Sequence, residues 1–179
     1  MVHGRHTFNF TPQFAQLFCV RAPMGNTHVS VAYALLPGKQ QETYEECLTA
    51  ILDACLTRDI RPMPNRIVVD YEMAIHNAIK SVISPDISIQ GCFFHLTQAT
   101  WRRIQADGLQ ARYREDEEIR TWCGSLDGLA FLPVDQVEDG MRLIREEAPE
   151  VLSSVIDYFD STYVTGSYRS VRSDGCLRF

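Results

Sequence analysis

The sequence has no run of about 18 apolar residues, which excludes a membrane-spanning helix. Its opening, Met1-Val2-His3-Gly4-Arg5, leads into Phe8-Asn9-Phe10 and not into an apolar stretch, so no secretory signal is expected. None of the six cysteines (Cys19, Cys47, Cys55, Cys92, Cys123 and Cys176) forms a Cys-x-x-Cys pair with another. Scattered in this way, they are expected to be free thiols in apolar surroundings of a reducing compartment, not a disulfide framework. Internal repeats are absent too, which excludes a solenoid. These absences point to the nucleus or cytoplasm and to no membrane partner.

An excess of positive charge is also missing. The formal net charge is −6, so a wholly basic surface is excluded, but the charge is uneven. Residues 115–160 hold 13 acids and 3 bases, and the remainder holds 10 acids and 14 bases. Binding a phosphate backbone needs local Lys or Arg, not a basic total, so nucleic acid stays within reach of the milder part.

What is present is a mixed α/β pattern. Phe8, Phe10 and Phe14 stand around the turn signal Thr11-Pro12, Leu17-Phe18-Cys19-Val20 is a short apolar run, and residues 29–36 are rich in strand formers. With the turn cluster Pro23-Met24-Gly25-Asn26 between the last two, these predict a meander of three antiparallel strands. Thr43 and Glu46 have capping-box spacing, and Tyr44, Cys47, Leu48, Ile51, Leu52 and Cys55 follow at helical intervals. Arg66-Ile67-Val68-Val69 predicts a short buried strand ending at Asp70, and residues 71–82 an amphipathic helix, with Glu72 in its first turn. Ile87, Ile89 and Cys92-Phe93-Phe94 suggest a further strand, with a helix over 96–104. Helical stripes continue through Ile119-Trp122-Cys123-Leu126, Val134-Val137-Met141-Ile144 and Leu152-Val155-Ile156-Phe159-Tyr163. Three meandering strands followed by alternating helices and strands give an RNase H-like mixed sheet with a C-terminal helical region. The expected division is a core over 1–106, a helical extension over 107–164 and a disordered tail over 165–179.

Three constellations could carry chemistry. Asp70 ends a buried strand, where ligands of open α/β sheets gather, and a carboxylate there can hold Mg²⁺. The plainer reading makes it the cap of the next helix. Cys92 and His95 offer two soft ligands where a structural zinc needs four; His95 could equally bond a phosphate or be a satisfied core histidine. Trp101, Arg102 and Arg103, with Arg112, Tyr113 and Arg114, interleave cations with aromatics in the manner of a nucleic-acid-binding surface, or form an ordinary helix face. Glu115-Asp116-Glu117-Glu118 reads as a solvated helix start.

Taken in order, these segments resemble a known family. Thr7-Phe8-Asn9-Phe10-Thr11-Pro12, Val31-Ala32-Tyr33-Ala34-Leu35-Leu36-Pro37, Asp70-Tyr71-Glu72-Met73-Ala74 and Gly91-Cys92-Phe93-Phe94-His95-Leu96 are similar to the MULE (Mutator-like) transposase domain. Gly108-Leu109-Gln110, Tyr113-Arg114 and Tyr158-Phe159-Asp160 extend the likeness. The resemblance implies a DDE enzyme acting on DNA transposon ends, in which three carboxylates bind Mg²⁺ or Mn²⁺, and it leaves a homo-oligomer open. Asp70 matches the second carboxylate, and Cys92 and His95 match the pair that follows it. Arg5 stands where the first carboxylate is expected, and no Asn-rich motif with the third is found before Phe179. A truncated, catalytically impaired transposase-derived domain is therefore expected. The other readings are an active enzyme completed by another subunit, and a DNA- or protein-binding module on the same scaffold.

Overall fold

The computed structural model describes residues 2–4, as backbone, together with 13–166 and 168. The strand expected around Phe8 and Phe10, the position of Arg5 and nearly all of the tail 165–179 lie outside the described residues. The chain is mixed α/β and divides into two compact units, Met1–Ile89 and Gln90–Phe179.

In the first unit, β1 (Val2–Gly4), β2 (Gln16–Met24) and β3 (Thr27–Leu36) form an antiparallel sheet in the order β1-β2-β3. β2 pairs with β3 from Gln16↔Leu36 to Met24↔Thr27, with an irregularity at Val20/Arg21. The hairpin turn is the two residues Gly25-Asn26, so Pro23 and Met24 belong to β2 and not to the turn. Gly25 has φ +60°, the left-handed conformation that a two-residue hairpin needs at its first central position. β4 (Arg66–Val69) pairs in parallel with β5 (Ser88–Gly91), across the helix α2 (Met73–Val82). β1 lies beside β4. Its described part is three residues long, and no hydrogen-bonded ladder joins it to β4 among the described residues. Among the described residues the ladders form a three-stranded antiparallel sheet and a parallel pair.

Helix α1 (Gln41–Leu56) starts earlier than the capping-box spacing predicts. Gln40 takes the N-cap place in extended geometry, and Thr43 already lies inside the helix. Its predicted apolar stripe is buried in the first half only: Tyr44, Cys47 and Leu48 are buried, whereas Ile51, Leu52 and Cys55 are half-buried; α1 packs on α2, whose Ile75, His76, Ala78 and Ile79 are buried. The Cys92-Phe93-Phe94 run is not strand. β5 ends at Gly91, Cys92 takes the N-cap place, and α3 runs over Phe93–Ala106. A short apolar run carries no period that separates strand from helix.

The second unit is helical: α3, α4 (Gln110–Glu115), α5 (Glu117–Gly128), α6 (Val137–Glu147) and α7 (Ser153–Phe159), with short 3₁₀ turns between them. Asp116 caps α5, its carboxylate accepting from the backbone N–H of Glu118 and Ile119, so the acidic run is a helix start as expected. A π-helical turn, Asp160–Val164, continues α7. Arg145 braces it from α6, at 2.5 Å from Asp157 and 2.9 Å from Asp160. The predicted stripes meet in one core, except for exposed Val134: Ile119, Cys123, Leu126, Met141, Ile144, Leu152, Val155 and Phe159 are almost fully buried.

Within this core the Thr100 hydroxyl donates to the Asp127 carboxylate at 2.8 Å. Burial raises the Asp127 pKa, and the Thr100 hydrogen bond only partly offsets this. Burial, and then Asp127, pushes the Cys123 thiol up to about 11, which leaves it unreactive. A carboxyl with a raised folded-state pKa holds its proton more tightly folded than unfolded. Its contribution to stability is intact below the ordinary carboxylate value of about 4 and is lost as pH rises through the folded-state pKa. Asp127→Asn keeps an acceptor for Thr100 and removes this cost. It should raise Tm at pH 7, with the gain vanishing below about pH 4; thermal melts across pH check both ends.

Candidate functional site

Strand β4 is buried at Ile67 and Val69, and this fixes where the chain emerges. Asp70 follows directly and is half-buried. It is not the cap of α2: that place belongs to Glu72, two residues on, whose side chain makes no capping hydrogen bond. Glu72 therefore lies just outside the helical turn predicted for it. The Asp70 backbone is held from α2, where the Nε2 of buried His76 donates to the Asp70 carbonyl oxygen at 2.7 Å. Burial lowers the His76 pKa, which favours the neutral ring.

Glu72 is engaged on both oxygens. Lys39 Nζ lies 2.8 Å from Oε1, and the Tyr44 hydroxyl donates to Oε2 at 2.9 Å. Gln16, at the start of β2, donates to the Tyr44 oxygen at 3.0 Å and to the Gly38 carbonyl at 2.9 Å. Tyr44 and Gln16 are buried, and the Tyr44 ring packs against Phe18 at 5.6 Å between centroids. Burial first, with the Glu72 and Asp70 carboxylates adding to it, pushes the Tyr44 phenol far above its ordinary range. The phenol therefore stays protonated and donates. Sequence reading missed this network, because its members come from four separate segments.

The family resemblance implied Mg²⁺ or Mn²⁺ at Asp70. Among the described residues no group of three or more His, Cys, Asp or Glu stands close enough to hold a metal. A pair of metal ions needs more carboxylates than the described residues bring together. A single Mg²⁺ that keeps several waters and takes phosphate oxygens needs only one or two carboxylates.

In the second unit, Cys92 is buried at the N-cap of α3 and His95 is half-buried one turn on. The exposed Phe94 ring meets His95 edge-on at 5.6 Å. The absence of a third clustered ligand leaves no four-ligand zinc site among the described residues. Trp101 and Tyr113 do come together, edge to face at 5.1 Å, joining α3 to α4. Arg102, Arg112 and Arg114 are exposed around them, and Arg112 makes only a long ion pair with Asp116 at 3.7 Å. Arg103 is occupied otherwise. It pairs with Asp107 at 3.1 Å, bonds the Ser154 hydroxyl and lies over the Tyr158 ring. It thereby ties α3 to α7.

A family model described as the MULE transposase domain matches residues 6–99. The match contains Asp70, Glu72, Cys92 and His95 and ends before Trp101, so it does not carry the likeness read from Gly108 onward. No curated protein and no solved structure matches the chain. Among the described residues no helix is long and apolar enough to cross a membrane.

The two neighbouring arginines should separate cleanly. Arg103→Ala should cost about 1 kcal/mol in urea unfolding, from a partly exposed ion pair and a cation–π contact. Arg102→Ala should stay within about 0.5 kcal/mol of the parent.

Proposed function

The chain belongs to the MULE transposase domain family, and from that premise we propose that it is a transposase-derived domain that engages DNA, in the nucleus or cytoplasm, with strand cleavage impaired. The observation that carries this reading is the place of Asp70. It stands at the carboxyl end of a buried strand, pinned through its own carbonyl by His76 and not serving as a helix cap. Position and family motif together support reading it as the metal-binding carboxylate. When bound, the ion would supply charge to a phosphate oxygen and lower the pKa of its water. The chain's own contribution is to hold the carboxylate, through His76, where a phosphate could meet that ion.

Impairment is supported by the identity of the other acids. Arg5 occupies the sequence position of the first carboxylate, and a guanidinium repels a metal ion. Glu72, the nearest further acid in sequence, has both oxygens engaged. Asp157 and Asp160 are bound to Arg145. With Mg²⁺ or Mn²⁺ and duplex DNA the purified chain should give no nicking above background on a gel. Robust metal-dependent cleavage, lost in Asp70→Ala, would sink the impaired reading.

A second reading, a DNA-binding module on this scaffold, is favoured by the exposed arginines around the Trp101–Tyr113 pair. Such a surface grips phosphates and stacks on bases. Fluorescence anisotropy with a short duplex oligonucleotide should show binding that weakens as salt rises. The double change Arg102→Ala with Arg114→Ala should lower the log–log salt slope by about 0.9 for each phosphate that is no longer neutralised. An unchanged slope and affinity would mean that these arginines do not face DNA.

A further inference from the structure

Two carboxylates two residues apart at a strand end look alike in sequence, but the structure gives them different surroundings. Asp70 is pinned through its backbone, by His76 at 2.7 Å. Glu72 is bound through its side chain, to an ammonium at 2.8 Å and a phenol at 2.9 Å. The phenol is buried and is itself fixed by Gln16, which also bonds the Gly38 carbonyl in the link before α1. Three segments therefore converge on Glu72 in the β4–α2 loop: the start of β2, the β3–α1 link and the first turns of α1.

Resting on the reading of Asp70 as a metal-binding carboxylate, we propose that Glu72 is a positioning residue and not a metal ligand. Its carboxylate anchors the 70–72 loop to Lys39 and Tyr44, and this anchorage, with the His76 pin, holds Asp70 in one orientation. A carboxylate shared between an ammonium and a phenol has its strongest lone pairs already in use. Serving a cation as well would require giving up Lys39, whose charge would then oppose the ion. Supporting groups of this kind typically change metal affinity by about 10- to 100-fold when removed.

The test uses the full chain and Mn²⁺ alone, followed by the electron paramagnetic resonance signal of the free ion. Hydrogen exchange on the metal-free protein is read in parallel. Asp70→Asn should abolish uptake. Glu72→Ala should weaken it by about 10-fold or more and speed exchange of the backbone amides of residues 70–73, with the interior of α1 unaffected. Tyr44→Phe keeps the ring packed on Phe18 and removes only the hydroxyl, so it should act in the same direction by a smaller factor. Glu72→Gln retains an acceptor for Lys39 and a partner for Tyr44, and should restore the exchange pattern while costing less than about fivefold in uptake.

If Glu72→Gln loses uptake as completely as Asp70→Asn, Glu72 is a ligand and the proposal is overturned. Unchanged exchange in both Glu72→Ala and Tyr44→Phe, with parental uptake intact, overturns the anchorage alone. No Mn²⁺ uptake by the parent chain, with the exchange effects present, overturns instead the metal reading of Asp70 and any role of the anchorage toward a metal.

Discussion

The Glu72 carboxylate can sit beside buried polar groups only because each of its oxygens has a donor. Lys39 supplies one and Tyr44 the other. Tyr44 can donate because burial and nearby carboxylates keep its phenol protonated. Gln16 then satisfies the phenol oxygen with one amide hydrogen and Gly38 with the other. A polar network of this kind must be nearly complete, because a buried group left unpaired loses about 1–3 kcal/mol in desolvation. The constraint reaches outward from there. It fixes how β2 begins, how the chain enters α1 and how β4 hands over to α2. Asp70 inherits its position from that framework.

Much of the local structure was legible in the sequence, for a physical reason. Helices that bury one face repeat their apolar residues every three or four positions, and Tyr44-Cys47-Leu48 and Ile119-Cys123-Leu126 do so and are buried. Asp116 before Glu117 and Glu118 also announced a helix start, because a cap is a local interaction. The errors fall where the local pattern is ambiguous. Thr43 and Glu46 have the right spacing for a cap, but the helix starts at Gln41, two residues ahead of Thr43. Cys92-Phe93-Phe94 is apolar enough for a strand, but the chain leaves β5 at Gly91 and turns into α3.

The candidate site divides in the same way. Asp70 could be found because strand, acid and helix are consecutive. The residues that hold Glu72 are Lys39 and Tyr44, 33 and 28 positions away, and no periodicity links them. Arginine at 103 looked the same as arginine at 102, since composition cannot tell a solvent-facing guanidinium from one consumed by Asp107, Ser154 and Tyr158. A single residue's step around the helix decides between an exposed side chain and one that joins two helices.

Charge further limits which surfaces can meet a polyanion. The outer face of α1 lines a shallow groove with Glu42, Glu45, Glu46 and Asp53, and no base shares that lining. A phosphate backbone laid there would be repelled within a Debye length of about 8 Å at physiological ionic strength. Along α3 and α4, Arg102, Arg112 and Arg114 are exposed about an aromatic pair, with exposed Glu115 beside them. The net charge of −6 therefore describes neither surface. It averages an acidic groove with a stretch where exposed arginines stand among acids. Family membership identifies the scaffold, whereas the side chains on these faces decide what the scaffold can still hold.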